Sequence, residues 1–312
     1  PEPLKRVVPL DLFPTQLIES SIVQKTYSAD MPGEFGGGII EINTKAVPSE
    51  RILDLSFSSG FNSETSLSDG LLYDGGDDDD LGYDDGTRDF PSFVQRAING
   101  NQKLDRSNFK TYQLANAGRE FVNSELWVIQ EGDVPLDNSV SFTYGDELDI
   151  DIERLLDDES ATVGVLLTAG VKSSWETQEG IRQTGDIQAQ GDGTSIVIRG
   201  NDKTFKSTSN NVTSYLMAVA GIETDSAELK YTGMYIHKGT KEARTLQGYD
   251  TSDSGDVRED FTEFFERELI NHQLNYNYLF QNDIQLDVRL AGGDASRYAP
   301  YERVVFYEDT DD

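Results

Sequence analysis

Between Glu64 and Asp89 the chain sets ten carboxylates against a single guanidinium, that of Arg88. The densest part is Asp77, Asp78, Asp79 and Asp80, followed by Asp84 and Asp85. Hard cations such as calcium take several carboxylate and carbonyl oxygens, and Asp77, Asp79 and Asp80 would be the ligands of a calcium site here. The spacing departs from the calcium-hand template. Counted from Asp77, Leu81 falls where an oxygen ligand belongs and Arg88 where the bidentate glutamate belongs. A solvated acidic loop is therefore the favoured reading, with calcium in the outer loops as the only cofactor considered.

Asp84, Asp85 and Arg88 offer a second chemistry, ligand binding, with Arg88 as the fork for a carboxylate. The competing and favoured reading is a turn, shaped by Asp85 and Gly86, in which Arg88 offsets local charge. Trp127 and Trp175 can stack on a sugar or an aromatic ligand, although anchoring at an interface is the commoner use of such rings. His237 and His272 fall on different strands, which is poor material for a metal cluster. Gly36, Gly37 and Gly38 form no phosphate cradle, because Glu41 stands where a third glycine belongs and a strand follows. No Ser, His and Asp set offers a reason to infer hydrolysis.

These side chains must be held by something, and the composition narrows what. The chain has 312 residues and a formal charge of -31. Such acidity argues against nucleic acid as a partner and against docking on an anionic cytoplasmic leaflet. Cysteine is absent, which excludes disulfides and thiolate chemistry. No run of about 18 apolar residues suggests a transmembrane helix, yet β-barrel strands need only alternate. The first and last residues look like neither a leader nor a natural end, so a piece of a longer polypeptide is expected.

From Arg51 onward the dominant signal has period two. Leu53, Leu55 and Phe57 alternate with polar residues, as do Val140, Phe142 and Tyr144, then Val163 to Val171. In the clearest case His272, Leu274, Tyr276, Tyr278 and Phe280 face one way, and Asn271, Gln273, Asn275 and Asn277 the other. Val212 to Glu223 is ambiguous, since both parities are apolar. Short links at Thr224 to Ser226 and at Asn282 and Asp283 take turns with long segments at about 59–138, 176–210, 239–266 and from 292 onward. Within the first of these, Phe93 to Ile98 and Asn108 to Ala115 read as helices. An outer-membrane barrel has short turns at one end and long loops at the other, and its strands need about 9–11 residues. The fold expected is thus mostly β, part of a large antiparallel transmembrane barrel. Before it, residues 1–47 carry a helical signal through Leu17, Ile18 and Glu19 and then a strand from Ser21 to Ser28.

Val8 to Pro14, Ile22 to Ser28 and Phe35 to Lys45 resemble the end of the plug domain in TonB-dependent outer-membrane receptors. Leu81 to Arg88 is similar to a segment of the first extracellular loop in one branch of that family. The resemblance implies that residues 1–47 are the C-terminal part of an α/β plug and residues 48–312 the N-terminal part of a barrel of about 22 strands. It implies location in the outer membrane of a Gram-negative bacterium. The implied function is uptake of a scarce solute, such as an iron chelate or a carbohydrate, coupled to the proton gradient. Its implied partners are outer-membrane lipid, an inner-membrane TonB-type energy-transducing complex, the solute, and a surface-exposed lipoprotein. Gly33, Phe35, Gly36, Gly37, Gly38 and Thr44 would form the structural motif where plug meets barrel wall. The rival is a soluble, acidic β-sandwich or propeller domain, calcium-binding and carbohydrate-active. The two differ in whether His272, Leu274, Tyr276 and Tyr278 face lipid or lie under a second sheet.

Overall fold

The computed structural model describes residues 18–26, 39–44, 50–122, 127–151, 160–189, 195–250, 255–282, 284–300 and 302–308. The fold is mostly antiparallel β. Strands β1 (Ile18–Gln24) and β2 (Ile39–Thr44) form a two-stranded ribbon, with Ile18 opposite Thr44. Ile18 and Glu19, expected in a helix, are thus strand: pairing with β2 overrides a weak local signal. The other plug-motif residues, Gly33, Phe35, Gly36, Gly37 and Gly38, lie outside the described residues.

The main sheet is an antiparallel meander of β3 (Ile52–Gly60), β6 (Asp137–Asp151), β7 (Ser160–Ala189), β8 (Ser195–Glu223), β9 (Ala227–Asp250), β10 (Gly255–Leu279) and β11 (Gln285–Tyr298). Strand β12 (Arg303–Glu308) pairs with β10 along the same edge as β11, because Tyr298 stands opposite Glu266 and Arg303 opposite Thr262. The two form one strand line with a gap. Pro300 sits in that gap, where its missing N–H costs the ladder nothing.

The excursion between β3 and β6 holds strand β4 (Asp69–Leu72) paired with β5 (Gln130–Asp133), a 3-10 turn at Asp79–Leu81, and helices α1 (Ser92–Asn99) and α2 (Thr111–Val122). The first helix falls where it was expected, whereas the second starts three residues after Asn108 and runs on to Val122, seven residues beyond the expected end at Ala115. The expectation of irregular loops at 176–210, 239–266 and from 292 onward needs correction. Much of each is paired strand, since β7 to β10 run for 30, 29, 24 and 25 residues. Along β8 the extension is largely polar on both faces, with Thr204, Lys206 and Thr208 alternating with Ser207 and Ser209, while those of β9 and β10 bury Leu246, Val257, Phe264 and Phe265 without a regular alternation. No apolar alternation announces them, and only the pairing does.

Cross-strand register divides the meander into two faces. One carries Leu53, Leu55, Phe57, Val140, Phe142, Leu148, Val165, Leu167, Leu216, Leu229, Tyr231, Leu274, Tyr276, Val288 and Leu290. Much of it is open to solvent, with Phe57 74%, Leu290 60% and Leu167 39% exposed. The opposite face carries Ser141, Thr143, Gln273 and Asn275 around a buried cluster of Leu166, Tyr215, Met217, Val219, Met234 and Ile236. Both parities of Val212 to Glu223 are used: Tyr215, Met217 and Val219 enter that cluster, and Leu216 lies on the open face. A Cβ on Gly170 would meet the Tyr215 Oη at 2.4 Å, so glycine lets the ring lie flat there.

Candidate functional site

Beyond the apolar face, the same side of β7 to β10 continues into the long extensions, and there the excursion docks. Its apex is the turn at Asp79–Leu81, closed by Gly82 in the left-handed region at φ 83°, whose N–H donates to the Asp79 carbonyl at 2.9 Å. The turn aims Asp79 inward. Arg88 grips it with two parallel bonds, Nη1 to Oδ1 and Nη2 to Oδ2, each 2.6 Å, and donates a third from Nη1 to Asp84 Oδ1 at 3.2 Å. Lys241 of β9 reaches Asp79 Oδ2 at 2.8 Å and donates to the Asp74 carbonyl at 2.7 Å.

The Arg88 guanidinium lies 4.0 Å from the Phe264 ring centroid and 5.4 Å from that of Trp127. Tyr73 stacks on Trp127 with centroids 6.0 Å apart and donates to the Glu263 carbonyl at 3.0 Å. Burial raises the Tyr73 pKa, and it also raises that of Asp84 against the opposing pull of Arg88. Burial alone would lower the Arg88 pKa, but the hydrogen bonds and charge of Asp79 together with Tyr73 more than offset this and raise it.

A second attachment lies one turn along β9. Gly82 and Gly239 touch backbone to backbone, so a Cβ on Gly239 would sit 2.2 Å from the Gly82 carbonyl oxygen. His237, 2% exposed, stacks on Tyr83 at 3.8 Å and 10°, and its Nε2 donates to the Gly82 carbonyl at 2.9 Å. That acceptor fixes the proton on Nε2. Glu266 accepts from the Asp84 N–H through Oε1 and holds Oε2 3.6 Å from His237 Nε2. The β4–β5 ribbon is pinned by Leu71 N–H to Thr208 Oγ1 at 2.9 Å. Beside it lies a cleft of about 410 Å³ lined by residues including Tyr73, Asp80, Trp175 and Lys241.

Of the candidate ligand-binding residues, Asp84, Arg88 and Trp127 come together. Arg88 has its fork filled by Asp79, and Trp127 is 6% exposed, with Arg303 also 5.5 Å from its ring centroid. Asp85 stays outside as a turn residue, accepting from Asp77 N–H and Thr87 N–H at 2.9 Å each, next to Gly86 at φ 87°. The Thr87 hydroxyl first, and then these two N–H bonds, hold its pKa down to about 2. Asp77, Asp79 and Asp80 are not gathered: Asp79 is buried on Arg88 and Lys241, whereas Asp77 and Asp80 are exposed. Among the described residues no three His, Cys, Asp or Glu side chains converge as a metal site.

Sequence reasoning missed Asp79 as the partner of Arg88, and Lys241, Phe264, Glu266 and Gly239 altogether. They come from strands far along the chain, and only the register brings them in. His237 had the right parity but carried no sign of what would cover it. The chain gives no match to a protein-family model, a curated protein or a solved structure.

Proposed function

We propose that this chain is part of an outer-membrane β-barrel belonging to an energy-coupled import receptor, with the meander as a segment of the barrel wall. The observation that carries this reading is the open apolar face. It spans every strand of the meander, and among the described residues no second sheet packs on it. Leu274 is 37% exposed where a soluble sandwich would bury it. Exposed apolar patches on soluble monomers rarely exceed a few hundred Å², so a face this wide calls for an apolar medium.

Its height supports the same reading. Val163 to Val171 is about nine residues, roughly 27 Å along a strand at about 3.3 Å each. A tilt of about 35–45° reduces this to about 20 Å, close to the apolar belt of about 25 Å in outer-membrane barrels. The links at the β8–β9 and β10–β11 ends are short, and Leu279 N–H bonds the Ser226 carbonyl between them at 2.8 Å. At the other end stand the long extensions.

The excursion docks on the same side as the apolar face. In this reading it covers the outer wall above the membrane and not the lumen. Coupling to a TonB-type complex, a solute as cargo and a surface lipoprotein as partner rest on the resemblance of the first 45 residues. The test is cell fractionation with uptake. The protein should reside in the outer membrane, need detergent for extraction and migrate differently on gels before and after boiling. Uptake of its solute should stop when the proton gradient is collapsed. A soluble, monodisperse protein without detergent would sink the barrel reading, and uptake insensitive to an uncoupler would sink the coupling.

A further inference from the structure

A larger cleft, of about 670 Å³, opens where the β4–β5 ribbon overhangs the far extensions of β7 to β10. Its floor is two cross-strand rows. Glu179, Lys206, Thr245 and Asp260 stand side by side in one, and Ile181, Thr204, Gln247 and Arg258 in the next. Its roof is Leu71, Ile129 and Glu131 from the ribbon. The volume is that of a small-ligand site.

The charges on the floor are mostly spoken for. Arg258 is bound bidentately by Asp260 at 2.8 and 3.0 Å, and Lys206 Nζ lies 3.1 Å from Glu179. The Lys206 pair is loose, since the Glu179 side chain is 64% exposed, so Lys206 can turn to another carboxylate. Glu131, which bears on Arg258 electrostatically, makes no ion pair among the described residues and faces the cleft as an acceptor for a cation. Beside Arg258, Asp260 and Glu131 leave one net negative charge; at the other side stands the Lys206 ammonium, which an incoming carboxylate must take over from the exposed Glu179.

A ligand matching this needs an ammonium at one end, a carboxylate at the other, hydrogen-bonding groups between, and an aliphatic face toward Leu71 and Ile129. Lys206 on β8 and Arg258 on β10 are two strand spacings and one row apart, about 12 Å backbone to backbone. An extended peptide covers that in about three to four residues at 3.3–3.6 Å each. We infer that this cleft binds a short, aliphatic peptide with free termini, its ammonium at Glu131 and its carboxylate at Lys206. Phe205 lies against Gly180, 2.7 Å from where a Cβ would be, and offers no open platform for a sugar ring; Tyr307, opposite Arg258 on β12, is 50% exposed with its ring centroid 5.9 Å from the guanidinium, so a sugar stacked there is the alternative that maltotriose tests.

The cleft is built from described strands outside the apolar face, so it can be tested whether or not the membrane reading holds. Calorimetry on the full chain in detergent micelles, with leucyl-alanyl-leucine as probe, should show saturable binding. The N-acetylated, C-amidated tripeptide should bind at least tenfold more weakly, and maltotriose not at all. Glu131→Gln and Lys206→Gln should each weaken the free tripeptide at least tenfold, and Glu64→Gln, elsewhere on the exposed excursion, should leave it unchanged. Equal binding of free and blocked peptides, binding of maltotriose, or no binding by protein with an intact near-ultraviolet spectrum would overturn the proposal.

Discussion

At the scale of single residues, Arg88 decides whether the excursion is folded. Its side chain is 0% exposed and its carboxylate partners Asp79 and Asp84 are each 4% exposed. Removing one partner of such a buried set leaves charge unpaired, which costs about 3–5 kcal/mol. Arg88→Ala should therefore undock the excursion and expose its peptide bonds to limited proteolysis, while the double variant Arg88→Leu with Asp79→Leu should regain much of the resistance. Cleavage no faster than in the unaltered chain would show that the pair is dispensable. Asp85 gives a pH test with a definite sign. Its folded pKa of about 2 lies below the ordinary 3.8, so its support of the turn is complete above about pH 4 and is lost as pH falls through about 2. Protection of the Asp77 and Thr87 amides against exchange, relative to the unfolded chain at the same pH, should fall over that interval, and constant protection there would remove Asp85 from the turn.

At the scale of elements, the docking of excursion on sheet needs a backbone contact that only glycine allows. Gly239→Val should push Gly82 away, at a cost of about 1–3 kcal/mol for overpacking, and free the Tyr83 ring from His237. A Tyr83 fluorescence signal and a melting temperature unchanged from the parent would contradict this. The elements also show how far the sequence could be read. Where one strand face is apolar and the other polar, as from His272 to Tyr278, period two named the strand and its faces. Helix signals are local, so the first excursion helix was legible to within a residue at each end and the second in part, its last turns beyond Ala115 being missed. The long extensions were not legible, because along β8 Thr, Ser and Lys on both faces leave no alternation and the apolar residues of β9 and β10 follow none, and their order comes from neighbours paired at distant positions. The same reason hid the site: Asp84, Arg88 and Trp127 could be singled out by type, but Lys241, Phe264 and Glu266 reach them only through the β9–β10 register. That Arg88 offsets local charge in a turn was the favoured reading of the sequence, but nothing in the spacing of Asp79, nine residues earlier, named it as the partner.

At the scale of the whole molecule, adjacent residues on β10 give the membrane reading its sharpest test. Leu274 and Gln273 are neighbours in sequence, sit at the same height on one strand, and point to opposite faces. If the apolar face meets lipid, an arginine at Leu274 must bring a charge into hydrocarbon, at a cost of about 2–4 kcal/mol near the bilayer midplane, while one at Gln273 enters a polar surface. Local strand propensity and charge change equally in both variants, so the difference isolates the medium on each side. Leu274→Arg should lower the heat-modifiable, membrane-inserted fraction severalfold, and Gln273→Arg should leave it near the parental level. In a soluble sandwich the order changes: Leu274→Arg would disrupt a buried core and give aggregate whether or not membranes are present. Equal insertion of the two variants would mean that neither face meets lipid, and the width of the apolar face would then have to be covered by another protein surface.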